Sequence, residues 1–179
     1  MQFVIYLIKF MDFGIKGIFQ QYGIKDLFED IWIPLLISSI LTVFVYFSLA
    51  DTYNILMSLL DFGIILVPVI TTIILAAYVL LLSLLGSALK EIRESKNGQI
   101  LHSKLNSGFA GNLLISFFSI VFLFLSSFIG KLHFTCEYYI FINISTFWIA
   151  TVLISYPIFS LFGILIDMFN MGEFLKSSK

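Results

Sequence analysis

The chain has 179 residues, 60% hydrophobic and 12% charged, with a formal net charge of −1 and a mean hydropathy of +1.05. An ordinary soluble domain carries roughly 45–50% apolar and about 25% charged residues, so these values exclude a water-soluble globule and a basic surface for direct nucleic-acid binding. They predict an all-α integral membrane protein with four transmembrane helices, each needing about 20 apolar residues to cross roughly 30 Å of hydrocarbon.

Residues 1–30 are apolar but punctuated. On a helical wheel Gln2, Lys9, Asp12, Lys16 and Gln20 form one stripe among Phe, Ile, Leu and Met, which predicts an amphipathic interfacial helix on the cytoplasmic face, with Lys9, Asp12 and Lys16 toward water. The segment lacks the basic start and small-residue cleavage site of a signal peptide and is expected to stay in the mature protein. Gly14, Gly17 and Gly23 weaken such a helix, so a loosely packed lead-in to the first span is the competing reading.

The spans follow at 31–50, 62–88, 108–129 and 138–166, none containing a charged residue. The first opens on Trp32 and Pro34, an interfacial anchor and a residue tolerated in a first helical turn; Pro157 predicts a kink in the fourth. Between the first two spans, "DTYNILMSLLD" carries Ile55, Leu56, Leu59 and Leu60 at helical spacing, which predicts a separate short helix on the outer interface. Tyr53, Tyr138 and Tyr139 fall near that outer boundary as interfacial aromatics.

Orientation follows from the positive charges. Lys9, Lys16, Lys25, Lys90, Arg93, Lys96, Lys104, Lys176 and Lys179 lie on one side, and only Lys131 lies in the opposite connections. Lys and Arg resist translocation, so both termini, the loop at 89–107 and the tail at 171–179 are expected in the cytoplasm. The loop is also predicted to be partly helical: residues 88–96 contain no breaker, Lys90 and Glu94 stand one helical turn apart, and Asn97-Gly98 reads as a helix end. It is either a solvated connection that pins the topology, or a docking element in which Lys90, Arg93, Glu94, Lys96 and Lys104 meet a soluble cytoplasmic protein.

No motif for chemistry is complete. The span cores hold no ionisable group of the kind that pumps and voltage sensors bury, and Asp61 and Asp167 read as solvated caps at helix ends. Asn112 and Asn143 are the polar side chains nearest to intramembrane depth, with interhelical hydrogen bonding expected first and pore lining second. His133 and Cys136 are two candidate ligands where a tetrahedral metal site needs four, and His102 falls on the other side of the membrane. A single Cys excludes an internal disulfide, and there is no nucleophile elbow or phosphate-cradling glycine loop. The expectation is a non-enzymatic protein without cofactor or metal.

Small residues suggest how the helices meet. Gly86 closes the second span, Gly108 and Gly111 open the third, and Ser116 and Ser119 continue along it. In lipid, helices associate by close backbone approach and interhelical hydrogen bonds, so a tight hairpin of the second and third spans is predicted. Four spans bury little surface, which favours a homo-oligomer.

The size, the four spans with both ends inside, the interfacial lead-in and the stretch "LLDFGIILVPVITTIILAAYVLLLSLLGSALKE" (59–91) resemble the small membrane subunit of the Kiwa anti-phage defence system. The resemblance implies a bacterial inner-membrane protein that assembles with itself and with a soluble DNA-binding partner and responds to membrane disturbance during phage attack; it carries over no site residue. The Phe-, Ile- and Lys-rich composition agrees with a bacterial source. An oligomeric, holin-like pore lined by Ser and Asn of the third span is a second functional reading, and a small transporter or membrane assembly factor a third.

Overall fold

The computed structural model describes residues 24–48, 51–94, 96–132 and 139–177, with the side-chain surroundings of 24–27, 29, 84–105, 167 and 170–177 left aside. The expected interfacial helix, with Lys9, Asp12 and Lys16, lies outside these residues. Four helices make up the described chain: α1 (Ile24–Phe47), α2 (Thr52–Glu94), α3 (Lys96–Lys131) and α4 (Tyr139–Ser177). Each contains a stretch long and apolar enough to cross a membrane, at Asp30–Phe47, Thr52–Ser83, Asn106–Lys131 and Tyr139–Ile166, which makes this a multi-pass membrane protein.

Consecutive helices are antiparallel, so α2 and α4 run in the same direction. One end of the bundle, hereafter the top, holds Phe47, Thr52, Lys131 and Tyr139. The other holds the junction of α2 with α3 and the end of α4. Helix α4 is the hub: it packs on α1, α2 and α3, whereas α1 rests chiefly on α4. Its apolar span is also the most buried of the four. The hairpin of α2 and α3 has the most extensive contact, in line with the small residues along it.

Two apolar clusters fill the interior. Ile70, Ile74 and Leu81 of α2 meet Phe109 of α3 and Ile164 of α4 in the lower one. In the upper one, Leu56, Leu60 and Val67 of α2 surround Leu123 of α3 and Phe147, Ala150 and Ile154 of α4. Outside these clusters the large hydrophobic side chains that stay exposed are mostly Phe, Ile, Leu and Val, with Trp32, Tyr46 and Tyr139 toward the ends of their helices' apolar stretches, the surface expected against acyl chains, which are as apolar as the core.

Two local expectations change. The segment at 52–61 is not a separate interfacial helix; it is the first part of α2, because Leu56 and Leu60 are needed in the upper cluster. Asp61 therefore lies inside α2 and not at a helix end, and Asp167 likewise lies inside α4. Asn97-Gly98 does not end a helix either: α2 runs to Glu94 and α3 is already helical from Lys96, so residues 89–94 and 96–107 of the expected loop are helical.

The start of α2 has a clear cause. Asp51 accepts a hydrogen bond from the Tyr53 backbone N–H at 2.9 Å and another from Asn54 Nδ2 at 2.9 Å, which is the geometry of an acidic N-cap facing the positive end of the helix dipole. Asp51→Ala is expected to cost about 1 kcal/mol, read as faster amide hydrogen exchange confined to residues 52–55. Unchanged exchange there would exclude the capping role.

Candidate functional site

Three groups of polar side chains interrupt the apolar bundle. The deepest joins α3 to α4: the hydroxyl of Tyr156, 1% exposed, donates to Asn112 Oδ1 at 2.6 Å. Asn112 thus takes the interhelical role expected of it. Around this bond Ser116, Ser119, Thr151, Ser155 and Ser160 are all buried. Most neutralise themselves locally by donating to the carbonyl one turn back, Ser119 to Ile115, Thr151 to Phe147 and Ser155 to Thr151, the usual device for a hydroxyl in a membrane helix. Ser116 and Ser160 do not; their hydroxyls are buried without a partner, one helical turn from Asn112 and Tyr156 respectively.

The remaining ties hold the periphery. Tyr78 of α2 bonds Asn106 of α3 near the lower end. Trp148 of α4 donates from Nε1 to Ser39 Oγ of α1 at 3.2 Å, which supplements the limited packing of α1. At the top, Tyr53 donates to the Gly130 carbonyl at 3.1 Å.

The third group is charged. Lys131 Nζ lies 3.4 Å from Asp61 Oδ1, and Ser127 Oγ donates to the same oxygen at 3.4 Å. Both charged side chains are more than half exposed, Lys131 at 62% and Asp61 at 58%. They sit among exposed Phe62, Phe128, Ile129 and Leu132, so this pair stands on an apolar surface.

The residues singled out in the sequence distribute as follows. Lys90, Arg93 and Glu94 occupy the last turns of α2, Lys96 opens α3 and Lys104 follows two turns later, so all five flank the junction of α2 with α3. Gly86 lies in α2, with its surroundings outside the description. Gly111, Ser116 and Ser119 are buried in the bundle. Gly108 is half-buried, and a Cβ there would meet nothing within 4 Å, so it makes no close approach. That role belongs to Gly63, where a Cβ would fall 2.6 Å from Ile154 Cδ1 and 3.1 Å from Leu123 Cδ1.

Sequence reasoning passed over Gly63, Tyr156 and the Asp61–Lys131 pair. Tyr156 was one aromatic among many. Asp61 and Lys131 are 70 residues apart, and only the antiparallel packing of α2 on α3 brings them together. The signal that could have found them is the pair of acids bounding the apolar 52–60 segment: a helix continuing from Asp51 carries Asp61 into the span. No protein family, curated protein or solved structure matches this chain.

Proposed function

We propose that this chain is the membrane arm of a two-part assembly, a non-enzymatic bacterial inner-membrane subunit that self-associates and holds a soluble cytoplasmic effector on its lower end. The supporting observation is that three helices continue beyond their uncharged stretches toward that end. Helix α2 runs on over 89–94, α3 begins twelve residues before 108, and α4 continues over 167–177, projections of about 9, 18 and 16 Å at 1.5 Å per residue. A bare topological loop needs no such extension. The excess of Lys and Arg on these segments supports a cytoplasmic placement, and continuous helices offer a partner a preordered surface with a smaller entropic cost of binding than a flexible loop.

The resemblance in size, span number, interfacial lead-in and the 59–91 stretch to the Kiwa membrane subunit is the ground for proposing an anti-phage setting, with membrane disturbance as the signal and a DNA-binding protein as the effector. A pore lined by the third span has less support, because Asn112, Ser116 and Ser119 face other helices of the same chain. The test is a pull-down from native membranes in mild detergent, comparing the wild type with the double variant Arg93→Glu, Lys96→Glu. Recovery of the soluble partner is expected to fall by at least about tenfold, as reversing charges in a complementary interface does, with membrane insertion intact. Equal recovery from the double variant would reject docking at the projecting end.

A further inference from the structure

A buried hydroxyl without a hydrogen-bond partner carries the full cost of its lost hydration, and protein interiors leave few such groups. The Ser116 and Ser160 hydroxyls are two of them; Ser116 is 0% and Ser160 7% exposed. Both stand beside the bond from Tyr156 to Asn112 Oδ1. Ser116 lies one turn beyond Asn112 on α3 and Ser160 one turn beyond Tyr156 on α4, so each serine shares a helix face with one member of that bond.

The register of α3 on α4 brings the two serines toward one point. Phe109 and Ile164 share the lower cluster, and Leu123 and Ala150 the upper one. Because the two helices are antiparallel, both clusters correspond to a single register, which sets Ser116 level with Tyr156 and Pro157 and Asn112 level with Ser160 and Leu161. The four polar side chains therefore fall within one turn, about 6 Å along the bundle at 1.5 Å per residue.

The same turn of α4 offers a backbone acceptor. Pro157 is fully buried and has no N–H, so the Leu153 carbonyl one turn back receives no helical hydrogen bond from it. Positions 153, 156, 157 and 160 lie on one side of α4. In membrane helices a carbonyl freed by proline is met by a neighbouring helix, a hydroxyl or an ordered water.

We propose that a single bound water molecule joins these groups, accepting hydrogen bonds from the Ser116 and Ser160 hydroxyls and donating to the Leu153 carbonyl and the Tyr156 oxygen. A buried water typically makes about three hydrogen bonds, within a range of 2–4, and this point supplies two donors and two acceptors. The chemistry selects water: every surrounding group is neutral, so no ion is compensated, and both serines are too deeply enclosed for a lipid headgroup. The water ties α3 to α4 beside Pro157 and extends the Tyr156–Asn112 bond into a neutral network.

Stability reads the site by sign and by coupling. A bare buried hydroxyl is better replaced by a methyl group, so Ser116→Ala and Ser160→Ala would then each raise the ratio of folded to unfolded protein. A hydroxyl held by water is missed, and each variant is expected to lower that ratio by about two- to tenfold. Because one water serves both serines, the double variant is expected to fall little below the weaker single variant and well short of the product of the two losses. Equilibrium unfolding in mixed micelles measures all three. An unchanged or raised ratio in either single variant, or two losses that multiply, would overturn the shared water. Radical footprinting supplies a readout independent of stability, since hydroxyl radicals formed from a bound water by a short X-ray pulse label the side chain beside it. Tyr156, 1% exposed, is expected to be oxidised in the wild type and severalfold less in the double alanine variant. Equal labelling in both, or none in the wild type, would also overturn the site.

Discussion

Replacing Tyr156 with alanine is expected to destabilise the bundle by about 3–5 kcal/mol, the range for removing a large buried aromatic side chain. Tyr156 is the largest fully buried side chain among the described residues, and its loss opens a cavity between α3 and α4 while stranding Asn112 Oδ1 in the interior. Tyr156→Phe keeps the ring and removes only the hydrogen bond, so it should cost about 0.6–2 kcal/mol, the range for interhelical bonds in membrane proteins. The difference between the two variants separates packing from polarity. Equilibrium unfolding of the purified protein in mixed micelles gives both values, and a Tyr156→Ala midpoint equal to that of the wild type would mean that α3 and α4 are not held together at this point.

The second large effect is expected at Gly63. Its missing side chain lets α2 approach Ile154 and Leu123 so closely that a Cβ would lie 2.6 Å from Ile154 Cδ1 and 2.9 Å from Cγ1. Gly63→Val should therefore cost about 1–3 kcal/mol by overpacking. The cost has a specific remedy: Ile154→Ala removes the atoms in the way, so the double variant is expected to be more stable than the sum of the two single losses predicts. Strict additivity in the same unfolding measurement would place Gly63 outside the α2–α4 contact.

Both sites show how far the sequence reached. Long uncharged runs made four spans legible, because crossing hydrocarbon demands internal satisfaction of every backbone polar group and a minimum helix length. The expected pairing of α2 with α3 is present, but Gly108, one of the small residues it was read from, makes no close approach. Sequence reasoning erred at the 52–61 segment: apolar residues at helical spacing fit a helix lying on a membrane surface as well as one buried in a bundle. What decided between them was a destination for Leu56 and Leu60, namely the upper cluster formed by Leu123, Phe147 and Ile154, residues distant in the chain. Gly108 and Gly63 make the same point in reverse. Both are glycines in membrane helices, and only the neighbour across the gap tells which one permits close approach.

The linear sequence by itself determined the class of the molecule and the number of its spans, since composition and the length of uncharged runs depend on the transfer of single residues between water and hydrocarbon. The tertiary structure alone decided that α4 is the hub, that Tyr156 closes on Asn112 and that Asp61 meets Lys131 on an apolar surface. Those features arise from distances between residues far apart in the chain, and in a bundle whose every face is apolar, hydrophobic periodicity does not say which face turns toward which neighbour.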